Sequence, residues 1–218
     1  MTMTENAKLL ESLFDAERTA RRVHALLTEG EPDAVVTLLA ESVRGAEGLH
    51  GEERSLRLEQ ISGLLGDLQG PRVVDLLIDI LASEDPDARR ASGEALSERA
   101  WDRFKDVALG IERALKRLRP DSPALPELPY ILAEIPEPGA LKLLAEFLKH
   151  PTADVVAAAI EAIVERPEPQ ALSLLDPLAN DPRKIEIEDD DGAGAEATIG
   201  ELVSEAQAIR EENHRRDA

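Results

Sequence analysis

The segment PEPGALKLL, Pro136 to Leu144, returns as PEPQALSLL, Pro167 to Leu175, thirty-one residues later. A longer match runs without gaps: LLIDILASEDPDARRASGEALSER, Leu76 to Arg99, lies over LLAEFLKHPTADVVAAAIEAIVER, Leu143 to Arg166, at an offset of sixty-seven residues. That offset is about two of the shorter units. Each copy carries apolar residues at helical spacing, so the repeated object is an amphipathic helical hairpin. One such hairpin cannot hide its own apolar flank, whereas hairpins stacked side by side cover one another. The expected fold is therefore all-α, an α-solenoid of about five to six helical hairpins. A solenoid offers a long surface of similar helices rather than a pocket of unlike groups, and this favours binding over catalysis.

Apolar residues make up 43% of the chain but aromatics only 2%. The core must then be built from Leu, Ile, Val and Ala, which suits closely spaced helices better than a β-sandwich. No run approaches the roughly 20 apolar residues of a membrane span, and MTMTENAKLLESLF has neither the basic start nor the apolar stretch of a signal peptide. A cytoplasmic location is expected. The absence of cysteine removes disulfides, a thiolate nucleophile and a cysteine-based zinc site. With 45 acids against 25 bases, a formal charge of −20, the surface repels phosphate backbones and anionic lipid. Partners with a basic surface are favoured, unless the charge serves solubility alone.

Along the chain the spacing predicts helices over Glu5 to Glu29, Pro32 to Val43, Arg54 to Leu68, Pro71 to Ala82, Asp87 to Glu98, Arg103 to Leu118, Tyr130 to Ile135, Gly139 to His150, Ala153 to Glu165 and Gln170 to Ala179. Several are opened by proline, which has no N–H to leave unsatisfied at a helix start. In DPRKIEIEDDDGAGAEAT, Asp181 to Thr198, isoleucines alternate with acids before a DG turn and alternating alanines, the pattern of a small β-hairpin. Thr198 then caps a last helix to about Arg210, with Glu201 completing a capping box. The expected organisation is one helical-repeat domain over 1–210: degenerate N-terminal cap units over 1–69, clear repeat units over 70–180, an acidic hairpin inserted over 181–197, a capping helix over 198–210 and a frayed tail over 211–218.

The stretch from Ala82 to Leu96 resembles HEAT repeats, in particular the bacterial subtype named for phycobilisome lyases, whose turn and second helix read roughly DPxVRxxAxxAL. Asp85 and Pro86 match the turn, Ala88 stands for the valine, Arg89 matches the arginine, and Ser92, Ala95 and Leu96 hold the small and apolar positions. In the later copy Val155, Ala159, Ala162 and Ile163 keep the packing positions, while Val156 replaces the arginine and Thr152-Ala153 replaces Asp-Pro. The resemblance implies a non-catalytic protein–protein interaction scaffold. Two alternatives follow from related proteins. One is a helical-repeat DNA glycosylase, in which Trp101 would stack on a flipped base and Asp102 or Asp106 would stabilise the sugar cation. The other is a lyase-type chaperone of a chromophore protein.

Bases concentrate between Arg89 and Arg119, with Trp101 among them. Arg89, Arg90, Arg99, Trp101 and Arg103 are the candidate partner-binding residues, because a tryptophan flanked by arginines supplies the stacking and charge of an interface hot spot. The alternative is structural: Trp101 plugs a junction between repeats while the arginines pair with Glu94, Glu98, Asp102, Asp106 and Glu112. For a metal, Asp189, Asp190 and Asp191 are weak candidates, since aligning Gly192 as a calcium-loop glycine puts Ile187 and Thr198 where ligands belong. His24, His50, His150 and His214 are too scattered to form a zinc pair, and His150 with Asp154 is spaced for a helix cap. No phosphate-cradling loop or nucleophile elbow occurs, and no cofactor is implied.

Overall fold

A computed structural model describes residues 2–168, 170–188 and 194–216. The described chain is mostly helical: α1 (Met3–Thr28), α2 (Pro32–Ala46), α3 (Gly51–Asp67), α4 (Pro71–Leu81), α5 (Pro86–Arg117), α6 (Leu128–Ala133), α7 (Pro138–Phe147), α8 (Ala153–Val164) and α9 (Ile199–Arg216). A 3₁₀ segment, Leu172–Leu178, follows α8, and strands β1 (Lys184–Glu188) and β2 (Gly194–Thr198) precede α9.

Helix starts follow the local chemistry. Pro32, Pro71, Pro86 and Pro138 each open a helix where a missing N–H costs nothing. Asp85 accepts the Ala88 N–H at 3.0 Å at the head of α5, and Ser55 of α3 donates to the same carboxylate. The hydroxyl bond, and after it the N–H, hold the Asp85 pKa below its ordinary value. At α9 the expected capping box is present: Thr198 N–H donates to Glu201 at 2.7 Å, and Glu201 N–H to the Thr198 hydroxyl at 3.2 Å.

Three elements differ from the sequence reading, and the hairpin keeps to it. The helices expected to be separate at Asp87 to Glu98 and Arg103 to Leu118 run together as α5, turned by one non-helical residue, Arg103, at φ −143° and ψ 51°. A kink in place of a loop lets one helix serve two rows of packing. The segment after Pro167 winds as a 3₁₀ helix, and Pro177 within it keeps it from continuing as a regular α-helix, since the proline ring clashes with the preceding turn. The last helix continues past Arg210 to Arg216, into the stretch expected to be frayed. The hairpin is antiparallel with Ile185 opposite Ala197 and Ile187 opposite Ala195, and Ile185 and Ala197 are buried; its turn lies outside the described residues.

Packing partners lie close in chain order. α2 touches α4, α4 packs on the second half of α5, and that half meets α7. On the other side α3 lies between α1 and the first half of α5, followed by α6, α8 and α9. Consecutive members of the two rows also pack as hairpins, α2 on α3, α6 on α7 and α7 on α8. The buried residues form one continuous cluster from Val35 to Ala206, dominated by Leu, Ile, Val and Ala, with Phe147 its one fully buried aromatic among the described residues. Each buried Leu or Ile contributes about 1.5–3 kcal/mol relative to exposure.

Two glycines mark where helices approach most closely. A Cβ on Gly110 would stand 2.2 Å from a Val74 methyl, so α5 reaches α4 only through that gap. A Cβ on Gly139 would meet the Phe104 ring at 2.6 Å. The counterpart of Gly139 in the repeated PEPxAL segment is the exposed Gln170.

Candidate interaction surface

The basic stretch is divided among different tasks. Arg99 is 5% exposed, and its guanidinium donates to Leu65 O at 2.9 Å, Gly66 O at 3.1 Å and Leu68 O. These carbonyls end α3 and have no partner within that helix, so Arg99 caps it from the next helix in the row. Burial pushes the Arg99 pKa down, with repulsion from Arg103 adding to the effect. Arg99 is therefore removed from the candidate contact surface. Sixty-seven residues on, Arg166 is 2% exposed and donates to Leu132 O and Ala133 O, both at 3.2 Å, and to Ile135 O. Each acceptor is displaced by the same sixty-seven residues as the donor. Glu168 additionally binds the Arg166 Nε at 3.0 Å. The position equivalent to Glu168 is Trp101, and the Arg99 Nε is buried with no hydrogen-bond partner.

The other bases follow the pairing that the helical spacing suggests only in part. Arg113 and Arg117 reach across to α4, to Asp75 at 3.0 Å and Asp79 at 2.6 Å, while Arg119 pairs with Asp121. Burial raises the Asp79 pKa, opposed by the Arg117 hydrogen bond and charge. Arg90 pairs within its helix with Glu94 at 3.1 Å. Trp101 is 58% exposed and plugs no junction. It follows Arg90, Glu94 and Ser97 on one face of α5, at intervals of four, three and four residues. Arg103 is exposed at the kink. Of the five candidates, the structure brings Arg89 and Arg90 together in one groove, with Trp101 further along the same face.

That groove, of about 370 Å³, lies between the first half of α5 and α6, and its walls include Arg89, Arg90, Glu94, Glu127, Tyr130 and Glu134. A second groove of about 410 Å³ lies between α6, α8 and α9, lined by Tyr130, Glu161, Glu165, Leu202, Glu205 and Ile209 among others. Tyr130 belongs to both, so the grooves form one continuous face. Its hydroxyl donates to Glu161 at 2.6 Å; burial first, and that bond second, raise its pKa. The Tyr130 ring stays 45% exposed.

The carboxylates on this face recur with the repeat. Glu94 and Glu161 are separated by sixty-seven residues, as are Glu98 and Glu165, and all four are exposed. Glu127, at the head of α6, falls between Glu94 and Glu161, thirty-three residues from the first and thirty-four from the second. Motif reading missed these residues because each alone is an ordinary exposed glutamate. The signal was in the alignment of the repeats, where Glu94 and Glu98 fall on Glu161 and Glu165 while Arg89 and Arg90 fall on Val156 and Ala157.

The histidines are separate. His24 meets Asp67 at 2.6 Å, and His150 accepts the Thr152 N–H at 3.2 Å rather than meeting Asp154. Among the described residues no group of three or more His, Cys, Asp or Glu is placed to hold a metal ion; Asp189, Asp190 and Asp191 lie outside them. Among the described residues no helix is long and apolar enough to cross a membrane. Comparison with protein-family models, curated proteins and solved structures finds no match to this chain.

Proposed function

We propose that the chain is an α-solenoid of HEAT-like hairpins that works as a non-catalytic scaffold, binding a protein with a basic surface along the face formed by α5, α6, α8 and α9. Five hairpins follow α1: α2 with α3, α4 with the first half of α5, the second half of α5 with α6, α7 with α8, and the 3₁₀ segment with α9. The paired clamps carry the repeat reading, since Arg99 and Arg166 perform the same bond to carbonyls at the same offset. The observation that carries the binding reading is the periodic row of carboxylates, Glu94, Glu127 and Glu161, beside the exposed rings of Trp101 and Tyr130. Aromatic anchors beside a row of carboxylates that outnumber Arg89 and Arg90 suit a partner with cationic groups.

Capture from the native cell with the wild-type chain and with a Glu127→Lys, Glu134→Lys, Glu161→Lys variant tests this. A partner retained by the wild type should be lost by the variant, with the melting curve unchanged and retention weakened by salt. Equal capture by both proteins would remove this face from consideration. The glycosylase alternative draws no support from a face this acidic, and absence of a gel shift on alkylated duplex DNA is the expected result.

A further inference from the structure

Helix α1 has no buried residue, although it is the second longest helix among the described residues and carries a wide apolar face. Leu9, Leu10, Leu13 and Phe14 are 56%, 50%, 63% and 44% exposed. Only its last turns meet the rest of the chain, through His24 on Asp67 and the partly buried Leu27. We propose that this face is covered by α1 of a second copy, packed antiparallel to form a dimer.

The register of residues points to that occupant. Met3, Asn6, Leu10, Leu13, Glu17 and Ala20 recur at alternating intervals of three and four, the seam of a coiled coil. Turned end for end about the midpoint of Leu10 and Leu13, the seam matches itself. Leu10 lies opposite Leu13 of the other copy, Met3 opposite Ala20, and Glu17 opposite Asn6, whose amide can donate to that carboxylate. Leu9 and Phe14 widen the contact on either flank. A parallel pair would instead set Glu17 against Glu17 and Asn6 against Asn6.

Charge selects the same arrangement. Glu5, Glu11, Asp15 and Glu17 balance Lys8, Arg18, Arg21 and Arg22, so α1 is electrically neutral within a chain of net charge −20. Two copies can therefore approach through α1 while the remaining surfaces repel. An antiparallel pair also carries the two acidic bodies to opposite ends of a helix about 39 Å long. A neutral helix lacks the cationic flank that holds amphipathic helices on anionic lipid.

Sedimentation velocity on the full chain tests the proposal, with Leu10→Glu/Leu13→Glu as the disrupting variant. The wild type should sediment at twice the chain mass in the micromolar range. The variant should be monomeric, with its dissociation constant raised at least about a hundredfold and its helical circular dichroism before melting retained, since both leucines are exposed in the single chain. Because the chain has no cysteine, Leu10→Cys and Leu13→Cys proteins report orientation directly. Mixed together they should cross-link, and Leu10→Cys alone should cross-link poorly. A wild type that stays monomeric, a variant that still dimerises, or efficient coupling of Leu10→Cys to itself would each overturn the proposal. So would a monomer that co-sediments with phosphatidylcholine–phosphatidylserine vesicles, which would give the face to lipid.

Discussion

At the scale of single residues, the buried arginines do the least expected work. A long cationic side chain is placed in the core because it reaches a cluster of helix-end carbonyls that the backbone alone satisfies only in part. Arg99→Met should lower stability by about 2–4 kcal/mol, because the aliphatic stem is replaced but the carbonyls lose their donor. Arg166→Met should cost more, since Arg166 also gives up its bonds to Glu168; urea midpoints of the two variants measure the difference. Gly110→Ala should destabilise by about 1–3 kcal/mol despite its gain in helix propensity, because Val74 occupies the space the methyl needs. His150 supplies a pH dependence: burial, with the nearby Arg183 charge a lesser influence, holds its imidazole below the ordinary 6.5. The unfolded chain then takes up that proton first, so stability falls as pH drops below the ordinary value. His150→Asn should flatten this part of a plot of urea midpoint against pH. Asp85 and Asp181, both held below 3.8 by hydrogen bonds, lose their contributions only at more acid pH.

At the scale of elements, α1 and α5 show opposite relations between pattern and burial. The long apolar face of α1 meets little of its own chain, so removing residues 1–28 should shift the melting temperature by only a few degrees, which differential scanning calorimetry can check. The two parts of α5 are buried on different partners, α3 for the first and α4 for the second, and the turn at Arg103 reconciles them. The positions of the helices were legible from period and proline. The continuity of α5 was not, because neither glycine nor proline marks the turn; packing sets it. The same holds for the 3₁₀ segment, where PEPQALSLL looks like its helical copy until the ring of Pro177, two residues beyond, clashes with the preceding turn.

At the scale of the molecule, contacts between neighbours in chain order imply that stability is graded rather than uniform. Hydrogen exchange should be slowest in α4 and α8, whose buried apolar residues lie at the centre of the cluster, and fastest in α1. Uniform protection from α1 to α8 would contradict neighbour-limited packing. The excess of acid over base also acts at this scale: capture of the proposed basic partner should fall steeply as salt rises.

The amino-acid order alone determined the helical class, the hairpin unit and most of the core, because period and proline placement act locally and are copied along the chain. Which arginines face solvent was decided by the tertiary structure, since Arg99 and Arg90 look alike until the end of α3 is placed beside one of them. The face with the carboxylates was decided there too: Glu94, Glu127 and Glu161, distant in the chain, line adjoining grooves only once α5, α6 and α8 are packed together.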